Sequence, residues 1–116
     1  MVDHSEKFHR SSYQVAQFLT AVGYQVYGVN PTVTEINHQP CYSSLKTIPE
    51  PIDIVNVFRR PQFLADLVRE AIAVNAKTLW TQLGIIDLAA AETAQKAGLN
   101  VIVNRCIKIE YNRLTL

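Results

Sequence analysis

Residues 53–61, Asp-Ile-Val-Asn-Val-Phe-Arg-Arg-Pro, constrain the fold more than any other stretch. The β-branched run suits a strand buried on both faces, as found inside parallel sheets. It stops at Arg59 and Arg60, and Pro61 follows. Proline fits the first position of a helix, where its missing N–H leaves nothing unpaired, so a helix is expected to start at Pro61. Strand end, paired positive charge and helix N-terminus then coincide. Such a junction favours anions, through free backbone N–H groups and the positive end of the helix dipole. This edge is expected to bind a phosphate-bearing ligand; ordinary solvated arginines are the plain alternative.

The rest of the chain supplies neighbours for that strand. Val15, Phe18, Leu19 and Val22 fall on one face of a helix led by Ser11 and Ser12 as caps, and Gly23 is placed to end it. A strand over residues 24–29 runs into the Asn30-Pro31 turn. Residues 36–42 read as a short extended edge segment containing Pro40, and residues 43–48 as one or two helical turns. Leu64, Leu67, Val68, Ala71 and Ile72 describe a second amphipathic helix, closed near Asn75. A strand over 77–81, a helix capped by Asp87 and ended by Gly98, and a strand over 99–103 follow. Asn104-Arg105-Cys106 then opens a short C-terminal segment. Strands alternating with helices of this length predict an α/β fold, a parallel sheet with helices on both faces.

At 116 residues the chain should be one domain, with residues 1–10 as an irregular lead and residues 11–116 as the folded part. Eleven basic and ten acidic residues leave a net charge of +1, too little for non-specific nucleic-acid binding, so any role for Arg59 and Arg60 is local. No apolar run reaches the ~18 residues of a membrane span and the N-terminus is polar, so a cytoplasmic protein is expected. Cys41 and Cys106 match no metal spacing and read as free thiols; His4, His9 and His38 show no ligand spacing either. No serine–histidine–acid set or carboxylate pair can be assembled, and a non-catalytic protein is expected.

In an open parallel sheet, ligands bind outside the carboxyl ends of the strands. Those ends are Asn30-Pro31, Phe58-Arg59-Arg60-Pro61, Thr81-Gln82-Leu83-Gly84 and Asn104-Arg105-Cys106. Their polar and cationic groups suit phosphate and a purine, and Phe58 or Pro31 suits an apolar ligand surface. Plain turn chemistry at Asn30-Pro31, a loop glycine at Gly84 and a buried, inert Cys106 are the competing readings.

These rim segments, with Tyr42-Ser43-Ser44-Leu45, Ile48-Pro49-Glu50-Pro51, Leu79-Trp80-Thr81 and Ile107-Lys108-Ile109-Glu110-Tyr111, resemble the small stand-alone CoA-binding domain proteins. Their domain is similar to the CoA-binding domain of the succinyl-CoA synthetase alpha subunit. The resemblance runs from about Ser11 to the C-terminus. It implies a Rossmann-like fold with coenzyme A, or an acyl-CoA, laid along the carboxyl rim. It implies contacts from Asn30, Pro31, Val57, Phe58 and Arg59, to which the residues themselves add Ser11, Ser12, Arg60, Gln82 and Gly84.

One departure stands beside the match. Members of that family begin with a strand and a glycine-rich turn around the CoA pyrophosphate, just before the Ser-Tyr-x-Val-Ala start of the first helix. Here Ser12-Tyr13-Gln14-Val15-Ala16 is present, but residues 1–10 hold no glycine and no apolar run. The central strand is expected to be missing, which leaves a slot between the strands over 24–29 and 52–58. A start further upstream, closure of the two strands on each other, or a second chain in the slot would resolve it. Weakened CoA affinity is expected, and the alternative function is a ligand-free structural or regulatory module that self-associates as a homodimer.

Overall fold

The computed structural model describes residues 1–115. In chain order the elements are α1 (Ser11–Ala21), β1 (Gly28–Val29), β2 (Glu35–Ile36), β3 (Gln39–Tyr42), β4 (Ile54–Val57), α2 (Leu64–Ala73), β5 (Thr78–Thr81), α3 (Leu88–Lys96), β6 (Asn100–Ile102) and α4 (Ile107–Thr115). β4, β5 and β6 form a parallel ladder, with Ile54 opposite Thr78 and Thr78 opposite Asn100. β1 pairs in parallel with β3, and β2 runs antiparallel to β3. The result is the expected Rossmann-like α/β fold.

The two strand groups are joined by the chain's own first residues. Val2 bridges Val29 on one side and Val57 on the other, in parallel to both. Its amide donates to the Asn56 carbonyl at 2.8 Å and its carbonyl accepts from Phe58 N–H at 3.1 Å, while Asp3 N–H donates to Val29 at 2.8 Å. The expected lead therefore divides: residues 1–3 are paired in the sheet, and residues 4–10 form the loop into α1. The slot is occupied over its carboxyl half, and the flanking strands neither close up nor stay wholly unpaired. Val2 is fully buried because it faces β-branched neighbours on both sides.

Its amino half stays open. A cavity of about 470 Å³ lies where a strand continuing backwards from Met1 would run, between residues 24–27 and 51–55. Leu19 and Ile107 line it from one face of the sheet, Leu45 and Ile48 from the other. This gap explains why the strands expected over 24–29 and 52–58 shrink to Gly28–Val29 and Ile54–Val57: their outer residues have no neighbour to pair with.

Side chains alternate across the sheet as a strand requires. Val2, Val55, Val57 and Leu79 face α2 and α3, packing with Leu64, Leu67, Val68, Ala71, Ala90 and Ala94. Met1, Phe58 and Trp80 face α1 and α4, against Val15, Ala16, Leu19 and Ile107. Gly23 (φ 106°) and Asn75 (φ 57°) end α1 and α2 in the left-handed region, as read from the sequence.

Three expectations need correction. Residues 35–42 make a β-hairpin whose two-residue turn, Asn37-His38, has both φ values positive (51° and 64°), the geometry of a type I′ turn. The short C-terminal segment is helix α4, held by Phe18 and Tyr111 in an edge-to-face contact at 5.3 Å. Pro61 opens a short 3₁₀ turn, and α2 starts only at Leu64.

Candidate functional site

That last correction moves the anion-binding geometry. The 3₁₀ turn between Arg60 and α2 satisfies Phe63 N–H on the Arg60 carbonyl at 3.0 Å, and the first turn of α2 carries its own acid, Asp66. α1 differs: no side chain caps it and its first turn holds no acid. Ser12 is not the helix cap that the sequence suggested; it is buried, and its Oγ accepts from Ser5 N–H at 3.0 Å. The hydroxyl thus ties the loop down over the helix start.

Further bonds hold residues 4–10 in place. Lys7 N–H donates to Ser5 Oγ at 3.1 Å, Arg10 N–H to the Lys7 carbonyl at 3.0 Å, and the Gln14 side-chain amide to the Phe8 carbonyl. Asn30 donates through Nδ2 to the His4 carbonyl at 3.0 Å, while its Oδ1 accepts from Thr32 N–H in an Asx turn. Arg59 donates through Nε and Nη2 to Asp3 Oδ1 at 3.2 and 3.0 Å. Asn30 and Arg59 therefore hold the consecutive residues His4 and Asp3, where the paired stretch passes into the loop, on the same border of the sheet.

Beneath this loop lies a recess of about 370 Å³ lined by Asp3, Ser5, Lys7, Arg10, Ser11, Ser12 and Phe58. Among the described residues, no carboxylate pairs with Lys7 or Arg10. Two unpaired cations, two serines and an uncapped helix start suit a phosphate or diphosphate. The larger cavity at the other end of the sheet does not: it is lined by Glu50 and Asp53 and by apolar side chains. Charge, not size, picks out the smaller recess.

The expected site residues divide accordingly. Ser11, Ser12 and Phe58 line the recess; Asn30 and Arg59 brace its wall. Pro31 and Arg60 are exposed and do not line it. Val57 is fully buried, and its carbonyl accepts from Gln82 N–H at 3.2 Å. Gln82 is 4% exposed and spent on structure: Nε2 donates to Asn56 Oδ1, and Oε1 accepts from Ile107 N–H at 3.4 Å, which seats α4. Gly84 is exposed at φ 83° and its N–H donates to Asn104 Oδ1 at 2.7 Å, two strands along the rim. Asp3, Ser5, Lys7 and Arg10 were missed. Their signal was present as basic residues just ahead of a helix with no acidic start.

The two buried titratable groups in this region are held neutral. Burial lowers the His4 pKa from 6.5, against the opposing bond of Nδ1–H to the Ser5 carbonyl at 2.9 Å. Burial pushes the Met1 α-amine down to about 5; it donates to the Tyr27 carbonyl at 3.1 Å. Partial burial also raises the pKa of the half-buried Cys41 thiol, which suits an unreactive cysteine.

The chain is similar to known proteins in sequence and fold. The sequence profile of the CoA binding domain family matches residues 2–112. The protein YneT of Bacillus subtilis is 36% identical over 107 residues, covering 92% of this chain and 79% of YneT. A hypothetical protein from Pyrococcus horikoshii superposes with a TM-score of 0.95 at 36% identity, over 97% of this chain and 80% of that one. A dinucleotide-forming acetyl-coenzyme A synthetase of Ca. Korarchaeum cryptofilum, solved with phosphate and ADP, matches with a TM-score of 0.73 at 17% identity. It covers 86% of this chain and 24% of that one, and the likeness is one of fold.

Proposed function

Because the chain belongs to the CoA-binding domain family, we propose that it binds coenzyme A or an acyl-CoA without catalysing a reaction on it. The diphosphate sits in the recess at the start of α1, between Lys7 and Arg10, and the adenosine end runs along the rim past Asn30, Pro31 and Phe58. The observation that carries this reading is the unpaired Lys7 and Arg10 over an uncapped helix start, in a chain of this family. His4, in the loop that forms the recess, is buried with Nδ1 on Ser5, which supports a structural histidine rather than an acid–base group. The free thiols Cys41 and Cys106 fit a reducing, cytoplasmic setting.

Calorimetric titration with CoA tests the proposal. Saturable binding is expected, and Lys7→Ala and Arg10→Ala should each weaken it about tenfold, the equivalent of one lost charge-assisted hydrogen bond. Their melting temperatures should match the parent chain, because both side chains are unpaired in the ligand-free protein. Absence of any saturable heat, or variants that bind CoA as tightly as the parent chain, would refute the site.

A further inference from the structure

Asp3 is a carboxylate in a recess otherwise suited to anions, and its position there is fixed by the backbone. Its N–H is bonded to Val29 as a sheet amide, and its φ of 60° lies in the left-handed region that a non-glycine residue seldom adopts. It lines the recess together with Lys7, Arg10 and Ser12. Both bonds from Arg59, through Nε and Nη2, converge on Oδ1. That pair of donors is one edge of the guanidinium fork, the edge that grips a phosphate with two parallel bonds. Arg59 is 22% exposed on its side chain and Asp3 38%, so the pair sits at the boundary of solvent rather than out in it.

We propose that Asp3 is an affinity-setting residue that competes with phosphate for Arg59. In the ligand-free protein the carboxylate occupies the guanidinium edge. A diphosphate entering between Lys7 and Arg10 meets this like charge and must displace it before Arg59 can join the site. The inference rests on the reading of the recess as a phosphate site, but it does not require the phosphate to belong to CoA.

Inorganic pyrophosphate is therefore the probe, titrated by calorimetry into the full chain and into Asp3→Asn, Arg59→Ala and the double variant. Asparagine keeps the side-chain shape and tolerates positive φ, so the loop is expected to hold, and unchanged thermal unfolding checks that it does. Asp3→Asn should bind pyrophosphate about tenfold more tightly, the gain of one charge-assisted contact and the loss of a repulsion. The gain should vanish in the Arg59→Ala background. Equal or weaker binding by Asp3→Asn overturns the inference, because the carboxylate would then position Arg59 rather than occupy it; so does a gain that persists without Arg59. Asp3→Gly removes the same carboxylate and relieves the positive φ, and must follow the same pattern. Titrating CoA into the same variants separates the two claims: if pyrophosphate behaves as described and CoA does not bind, the CoA reading fails and the role of Asp3 stands.

Discussion

His4 links the loop to the sheet in two ways: its carbonyl accepts from Asn30 Nδ2, and its ring lies against Gly28, where an added Cβ would lie 3.3 Å from His4 Cδ2; Nδ1–H, bonded to the Ser5 carbonyl, fixes the ring within the loop. A side chain at position 28 would crowd the imidazole and the Cys41 thiol. The folded protein holds His4 neutral below its usual pKa of 6.5 through burial, whereas the unfolded chain protonates it near that value. Just below pH 6.5 the unfolded state thus binds more protons, and stability falls with pH until His4 also protonates in the fold. Urea unfolding at pH 8 and pH 5.5 should show this loss, and His4→Gln should lessen it. An unaltered pH dependence in His4→Gln would show that the ring is not protected from protonation.

At the scale of elements, the cavity between residues 24–27 and 51–55 carries a prediction. The Met1 amine makes the bond to Tyr27 that a strand amide would make, but it carries a charge that burial disfavours. In this 116-residue chain, lowering that pKa from 8.0 to about 5 costs stability progressively as the pH falls from 8 to 5. Placing three or four small apolar residues ahead of Met1 would replace the amine with a neutral amide and fill the cavity of about 470 Å³. Scanning calorimetry should show a higher melting temperature for such an extension, with a gain that grows toward pH 5, and no gain for a Gly-Ser extension of the same length. Equal effects from both would mean that the cavity does not accept a strand.

For the molecule as a whole, the net charge of +1 gives no long-range field, while Lys7, Arg10 and Arg59 concentrate positive charge at one border. CoA affinity should therefore fall between 50 and 300 mM salt, a range chosen to vary screening across roughly a Debye length of 10 Å. Duplex DNA should show no saturable binding at either salt concentration. Tight DNA binding would mean that a basic surface extends well beyond the recess.

The sequence by itself determined the alternation of α1, β1, β4, α2, β5, α3 and β6, the burial of Val55, Asn56 and Val57, and the border on which polar and cationic residues collect. Those features follow from local periodicity, from proline and glycine at element ends, and from the direction a parallel crossover imposes. Only the tertiary structure decided which residues make the recess. Gln82 and Val57 look like rim residues in one dimension but are drawn into the core by bonds to Asn56, Ile107 and each other. Conversely, Asp3, Ser5, Lys7 and Arg10 sit in a stretch with no periodicity, and gain their place because Val2 pairs with strands that lie 27 and 55 residues further along the chain. Pairing over such separations leaves no local pattern to read, since its stabilisation comes from backbone bonds and burial that exist only once the sheet has formed.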